Sequence, residues 1–121
     1  MPQLDLTAIP HTHQDSAPHS GWFRHRSGVY ISPLALAKHR MAGEPPTTFT
    51  YHWWRHGGWY VVETTWPNGG CGCVSRNFID KKWRIACDPR TFAEQPTFRN
   101  RDLAARGEWL FVQSLVQATP W

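Results

Sequence analysis

No run of this chain approaches the roughly 20 consecutive apolar residues that a membrane-spanning helix needs, so no membrane partner is expected. The opening MPQLDLTAIP carries acid and proline where a secretory leader would have a basic start and an apolar stretch. Cysteine is scarce and odd in number: Cys71, Cys73 and Cys87. An odd count without a leader favours a reducing compartment, and the expected location is the cytoplasm. Several catalytic signatures are missing: a Gly-rich phosphate loop, G-x-S-x-G and H-E-x-x-H. Glu63, Asp80, Asp88, Glu94, Asp102 and Glu108 are scattered and suggest neither a carboxylate pair nor a metal cage. Catalysis is not expected, and neither is a cofactor.

What the chain has instead is rings and arginine. Its 121 residues, enough for one domain, hold eight Trp, six Phe and three Tyr. Each such ring can bury on the order of 150–250 Å², so the core needs neither a metal nor a disulfide. Formal net charge is +4, and ten of the 13 basic residues are arginine. Arginine suits bidentate contacts to phosphate or carboxylate and stacks on rings. From Ser16 to Gly43 there is no acid at all, while Arg24, Arg26, Lys38, Arg40 and three histidines fall in that window.

Periodicity divides the chain. Residues 1–20 are polar and interrupted by proline, and read as a flexible arm preceding a single domain over 21–121. A short strand is expected at Val29–Ile31. Ser32, Pro33 and Gly43 punctuate a helix over Pro33–Ala42, with Lys38, His39 and Arg40 in its last turn. Beyond the connector GEPPTT the period becomes two. TFTYHWW, WYVVETTW, CGCVSRNFI and WRIACD read as strands separated by Gly57-Gly58, PNGG and a turn near Asp80. Thr91 and Glu94 have capping-box spacing, and Pro96 stops any helix there. Asn100 caps a final helix whose stripe runs through Leu103, Gly107, Leu110, Phe111, Ser114 and Leu115, widened by Trp109, Val112 and Val116. The expected fold is α+β: an antiparallel meander of three to four strands packed on a long C-terminal helix, with a short helix near the N-terminus. The apolar later turns of the final helix are either deeply buried or pair with a second copy, which admits a homodimer.

One echo is visible: WFRHRSGVYI at 22–31 resembles WWRHGGWYVV at 53–62, which suggests that Arg24/His25 and Arg55/His56 lead into similar turns.

The cysteines raise the question of a zinc site. Cys71 and Cys73 share a strand face, and a turn near Asp80 brings Cys87 close to Cys73. However, C-x-C with one distant cysteine lacks the paired spacing of zinc ribbons, and every histidine lies before residue 57. Three small free thiols are the expectation.

The sharper signal is basic and aromatic. YHWWRHGGWY puts three Trp, two Tyr, two His and one Arg into ten residues. On a strand Trp53 and Trp54 point to opposite faces, so one enters the core and the other is left for the arm or a partner. Val74, Arg76 and Phe78 are expected on one face of their strand, with Arg84 on the next. Lys81 and Lys82 read as a solvated hairpin turn. Arg24, Arg26, Trp53, Trp54, Arg55, Arg76 and Arg84 are therefore the candidate binding residues of a small, basic, Trp-rich protein that engages nucleic acid or a nucleic-acid-handling complex. The strand–strand–strand–helix order is similar in outline to the DNA-binding arm domains of phage integrases, which implies DNA contact. The alternative is a protein-binding inhibitor of the phage and plasmid anti-defence kind, anti-CRISPR proteins among them, which blocks a partner by occupying its surface.

Overall fold

A computed structural model describes residues 23–24 and 30–120. The expected arm, Arg26 and most of the first half of the echo lie outside the described residues. Two short strands, β1 (Phe23–Arg24) and β2 (Tyr30–Ile31), pair antiparallel. Helix α1 follows over Pro33–Arg40. Ser32 Oγ accepts the Ala35 N–H at 3.1 Å, and Pro33 sits where the missing N–H costs nothing.

The meander has four strands: β3 (Tyr51–Arg55), β4 (Gly58–Thr65), β5 (Cys71–Ser75) and β6 (Arg84–Ile85). Each pairs antiparallel with its sequence neighbour, which leaves β3 at one edge and β6 at the other. Gly57 (φ 73°) and Gly69 (φ 87°) take left-handed backbone at the two tight connections, where a side chain would be strained. Strand β5 is shorter than its apolar run suggests. Ser75 Oγ accepts the Asn77 N–H at 3.0 Å and turns the chain out of the ladder. Arg76 N–H still donates to Gly57 O at 2.9 Å; beyond it the chain leaves the ladder, and Ile79 is 94% exposed beside the turn closed by Lys81 N and Phe78 O. Strand β6 stops after two residues because Asp88 N–H bonds back to Ile85 O at 3.2 Å.

Thr91 and Glu94 open and close a single 3-10 turn over Phe92–Glu94, and the Thr91 hydroxyl donates to the Glu94 carboxylate. Helix α2 then spans Arg101–Ala118, capped by Asn100 Oδ1 on the Leu103 N–H at 2.8 Å. One face of the sheet lies on α2. Val61 and Val74 are fully buried against Ala104 and Ala105, with Phe49, Tyr51, Trp59, Trp83 and Phe98 around them. Burying each valine contributes about 1.5–3 kcal/mol. A second cluster joins α1 to the far half of α2 through Ala37, Met41, Trp109, Val112 and Val116. Gln113 Nε2 fastens that contact, donating to Met41 O at 2.9 Å and Gly43 O at 2.8 Å.

The buried stripe of α2 is rotated from the expected one. It runs through Ala104, Ala105, Glu108, Trp109, Val112 and Val116, while Leu103 and Leu110 face outward. Alanine at the contact lets the helix backbone come close to the sheet, which a row of leucines would hold off. Among the described residues no helix is long and apolar enough to cross a membrane.

Candidate functional site

Two parts of the molecule carry chemistry that the fold alone does not demand: the outer β3–β4 hairpin and a thiol–carboxyl cluster beneath the other end of β5.

The hairpin is built by register. Tyr51 pairs with Val61, His52 with Tyr60, and Trp53 with Trp59. Tyr51, Trp53, Trp59 and Val61 thus share the α2-facing side of the sheet. Tyr51 and Trp59 are covered there by Arg101, whose guanidinium lies 3.8 Å and 4.9 Å from their ring centres. The Tyr51 hydroxyl donates to Asp102 in the first turn of α2. Partial burial and that carboxylate push the Tyr51 pKa above the ordinary phenol range. Trp53 lies on the same side and remains 66% exposed. Trp54 faces the other way. Its ring rests against Tyr60 at 5.9 Å, lies close over Gly58, and is covered by Arg55 at 3.8 Å. So the two tryptophans do take opposite faces, but neither enters the core.

Strand β3 is also an open edge. Val62 N–H donates to Thr50 O at 2.9 Å. The alternation of an antiparallel ladder then turns the N–H and C=O of Tyr51 and Trp53 away from β4, where no other described strand pairs with them. An irregularity in the ladder between Trp53 and Arg55 ends this template.

The remaining candidates are dispersed. Arg84 is 5% exposed, held by Asp80 at 2.7 Å and set between the rings of Phe92 (4.0 Å) and Phe78 (5.3 Å). Its hydrogen bond draws the Asp80 pKa down to about 2. Arg76 is exposed on a different side, 5.8 Å over the Trp83 ring, and rims a shallow depression with His56, Asn77 and Lys81. Arg24 belongs to β1, and its side chain, like all of Arg26, lies outside the described residues. Arg90 follows the same habit, pairing with Asp88 at 2.7 Å and lying 4.0 Å over Phe111.

This corrects the expectation of a basic, Trp-rich nucleic-acid-binding or inhibitory surface. Among the described residues the tryptophans form no cluster: Trp109 is in the core, Trp66 is tied to Glu108, Trp59 and Trp83 lean on the α2 side, and Trp53 and Trp54 part to opposite faces. Nor do the described arginines pool into a basic face, because Arg55, Arg76, Arg84, Arg90 and Arg101 each lie over rings of their own. Composition that reads as a surface for anions is largely consumed by intramolecular stacking, worth about 0.5–2 kcal/mol per pair.

The second site centres on Glu108, which is fully buried. Its two carboxyl oxygens accept the Cys73 N–H at 3.0 and 2.9 Å, and Oε2 also accepts Trp66 Nε1–H at 3.1 Å. Burial pushes its pKa up to about 8 against the pull of these donors, with Cys87 and Asp88 nearby adding to the rise. Glu108 is therefore mostly a neutral acid at pH 7. Cys73 is buried, while Cys71 and Cys87 are exposed, and all three are free thiols. Ala86 N–H donates to Cys73 O at 2.9 Å, which sets Cys87 next to the position opposite Cys73, and the interaction of the two thiols raises the Cys73 pKa and lowers that of Cys87. No group of three His, Cys, Asp or Glu able to hold a metal ion occurs among the described residues.

Sequence reasoning passed over Glu108 as one scattered acid. Its signal was position: four residues after Ala104 and four before Val112, it lies within the buried stripe of α2. Tyr60 was likewise left out of the candidate set, although its pairing with His52 places it beside Trp54.

Compared with protein-family models, curated proteins and solved structures, the chain matches none.

Proposed function

We propose that this chain is a small binding protein that acts by docking and not by catalysis, and that strand β3 is its contact surface for a segment of a partner protein. The observation that carries this reading is Trp53, a 66% exposed indole beside the outward-facing backbone groups of an edge strand. An extended segment laid along Tyr51–Trp53 gains ladder hydrogen bonds, and the Trp53 indole supplies an anchor of the type enriched at interface hot spots. Arg55 and Tyr60 sit beside the half-buried Trp54 and add a polar rim. A cytoplasmic setting belongs to the same proposal and is supported by the three free thiols.

The test is affinity capture from an extract of the source cells, with a wild-type bait and two variants. Trp53→Ala is expected to weaken retention of the captured protein by about 2 kcal/mol or more, roughly 30-fold, with thermal stability unchanged. Trp53→Pro, which removes an outward N–H at the edge along with the indole, should weaken it further. A partner held equally by all three baits would overturn the reading. So would salt-sensitive quenching of the protein's fluorescence by bare single-stranded or duplex DNA with no protein captured.

A second copy of the chain is favoured separately by Leu103 and Leu110, seven residues apart on α2 and 45% and 43% exposed. Light scattering across a concentration series is expected to show a dimer that Leu103→Asp plus Leu110→Asp converts to monomer. A monomer at all concentrations rejects it.

A further inference from the structure

The register at the end of the sheet brings two thiols of unlike exposure together. Val74 pairs with Ile85, and Ala86 N–H donates to Cys73 O at 2.9 Å, so Ala86 stands opposite Cys73. The chain then turns through Ala86 and Cys87, closed by Asp88 N–H on Ile85 O at 3.2 Å, so Cys87 stands one residue beyond the position opposite Cys73, within reach of its thiol. Cys73 is 2% exposed, whereas Cys87 is open to solvent. The third thiol is differently engaged: Cys71 Sγ donates to Val61 O at 3.3 Å. Cys71 and Cys73 lie two apart on one strand, where neighbouring side chains of a face stand too far apart for a strain-free disulfide.

We propose that Cys87 and Cys73 form a redox-active dithiol that exchanges with low-molecular-weight disulfides, Cys87 attacking and Cys73 resolving. The Cys87 thiolate attacks one sulfur of the disulfide RSSR. The RS–SR bond breaks, RS⁻ leaves, and a mixed disulfide Cys87–SR forms. Cys73 then gives up its proton, which the released RS⁻ takes up, and attacks Cys87 Sγ. A second RS⁻ leaves. The products are a Cys73–Cys87 disulfide, one RSH and one RS⁻, and two electrons pass from the protein to the small disulfide.

Three features support this assignment of roles. The attacking sulfur is the accessible one. The resolving sulfur is already beside it and is shielded from outside reagents. Interaction with the neighbouring Cys73 thiol favours Cys87 as the thiolate and brings its pKa down to about 7, while that same interaction and then burial hold Cys73 as the thiol. Glu108 is a positioning residue here. Its carboxyl grips the Cys73 backbone N–H, and its own proton keeps a second negative charge away from the pair.

The experiment uses the full chain, reduced and freed of reductant, with oxidised glutathione as the probe and mass spectrometry as the readout. Wild type is expected to lose two hydrogens, with the peptides carrying Cys73 and Cys87 linked. Cys73→Ser is expected to stop at a glutathione adduct on Cys87, and Cys71→Ser to oxidise as wild type does. Because Cys73→Ser replaces a buried side chain, pulsed alkylation of the unmodified protein provides a second reading. Cys87 should label about tenfold faster than Cys71. A stable wild-type adduct on Cys71, a bridge that includes Cys71, or equal labelling of Cys71 and Cys87 would overturn the proposal.

Discussion

Glu108 is the residue through which pH reaches the fold. Its folded pKa, about 8, lies above the unfolded value of about 4.3. The folded chain therefore holds a proton that the unfolded chain has released, and stability falls as pH rises through that window. The contribution is fully present below about pH 4 and is lost by the time pH passes about 8. Its size is on the order of several kcal/mol. Denaturant melts of wild type and Glu108→Gln at pH 5, 7 and 9 should show a wild-type decline that the variant lacks; parallel curves would mean that Glu108 is not held neutral. The arginines permit an equally sharp comparison. Arg84→Ala removes a buried guanidinium from between Phe78 and Phe92 and should cost about 2–4 kcal/mol. Arg76→Ala, at an exposed site, should stay within about 0.5 kcal/mol. Thermal melts of the two variants decide it, and equal losses would contradict the placement of Arg84. Both arginines carried the same weight in the sequence. Register separates them: Arg84 pairs with Ser75 on the face opposite Val74, where Phe78 and Phe92 cover it, and neither strand alone reveals that pairing.

At the scale of elements, local chemistry was readable wherever one residue sets one backbone group. Ser32, Asn100, Gly57 and the PNGG turn all act as their residue types dictate, and the order of helix, meander and helix follows from them. The facing of α2 was not readable in the same way, because it depends on what the helix meets. Gly107 shows why. In the sequence it is a weak helix former within an apolar stripe; in the fold the Phe98 ring occupies the place of its side chain, and a Cβ would stand 2.3 Å from Phe98 Cζ. Trp83 and Phe98 form a β-bridge that fixes that ring in the groove between α2 and β6. Gly107→Ala should therefore destabilise by about 1–3 kcal/mol, although alanine is the better helix former by about 1 kcal/mol. A melting temperature above wild type would show that Phe98 moves aside freely. The same dependence on tertiary context hid the candidate surface. Alternation correctly sent Trp53 and Trp54 to opposite faces, but that Trp53 stays open instead of joining the core depends on where α2 lies across the sheet.

For the whole molecule, the charge balance misled for a physical reason. Net charge and ring count are sums, and a sum does not record that Arg55, Arg76, Arg84, Arg90 and Arg101 each lie over a ring. The arginines act as mortar between loops, sheet and helix: Arg84 of the two-residue strand β6 holds Asp80, Phe78 and Phe92, and Arg90 pairs with Asp88 and lies over Phe111 of α2. The order of strands in the sheet has a further consequence, in time. Every strand pairs with the next along the chain, so the meander assembles from short loop closures, which are fast. The clasp of Gln113 on Met41 and Gly43 joins positions some seventy residues apart. That closure gains nothing until the sheet has given α2 a surface to lie on. The two ends of the molecule are thus the last to be joined as it folds, and their clasp acts mainly on how slowly the finished protein comes apart.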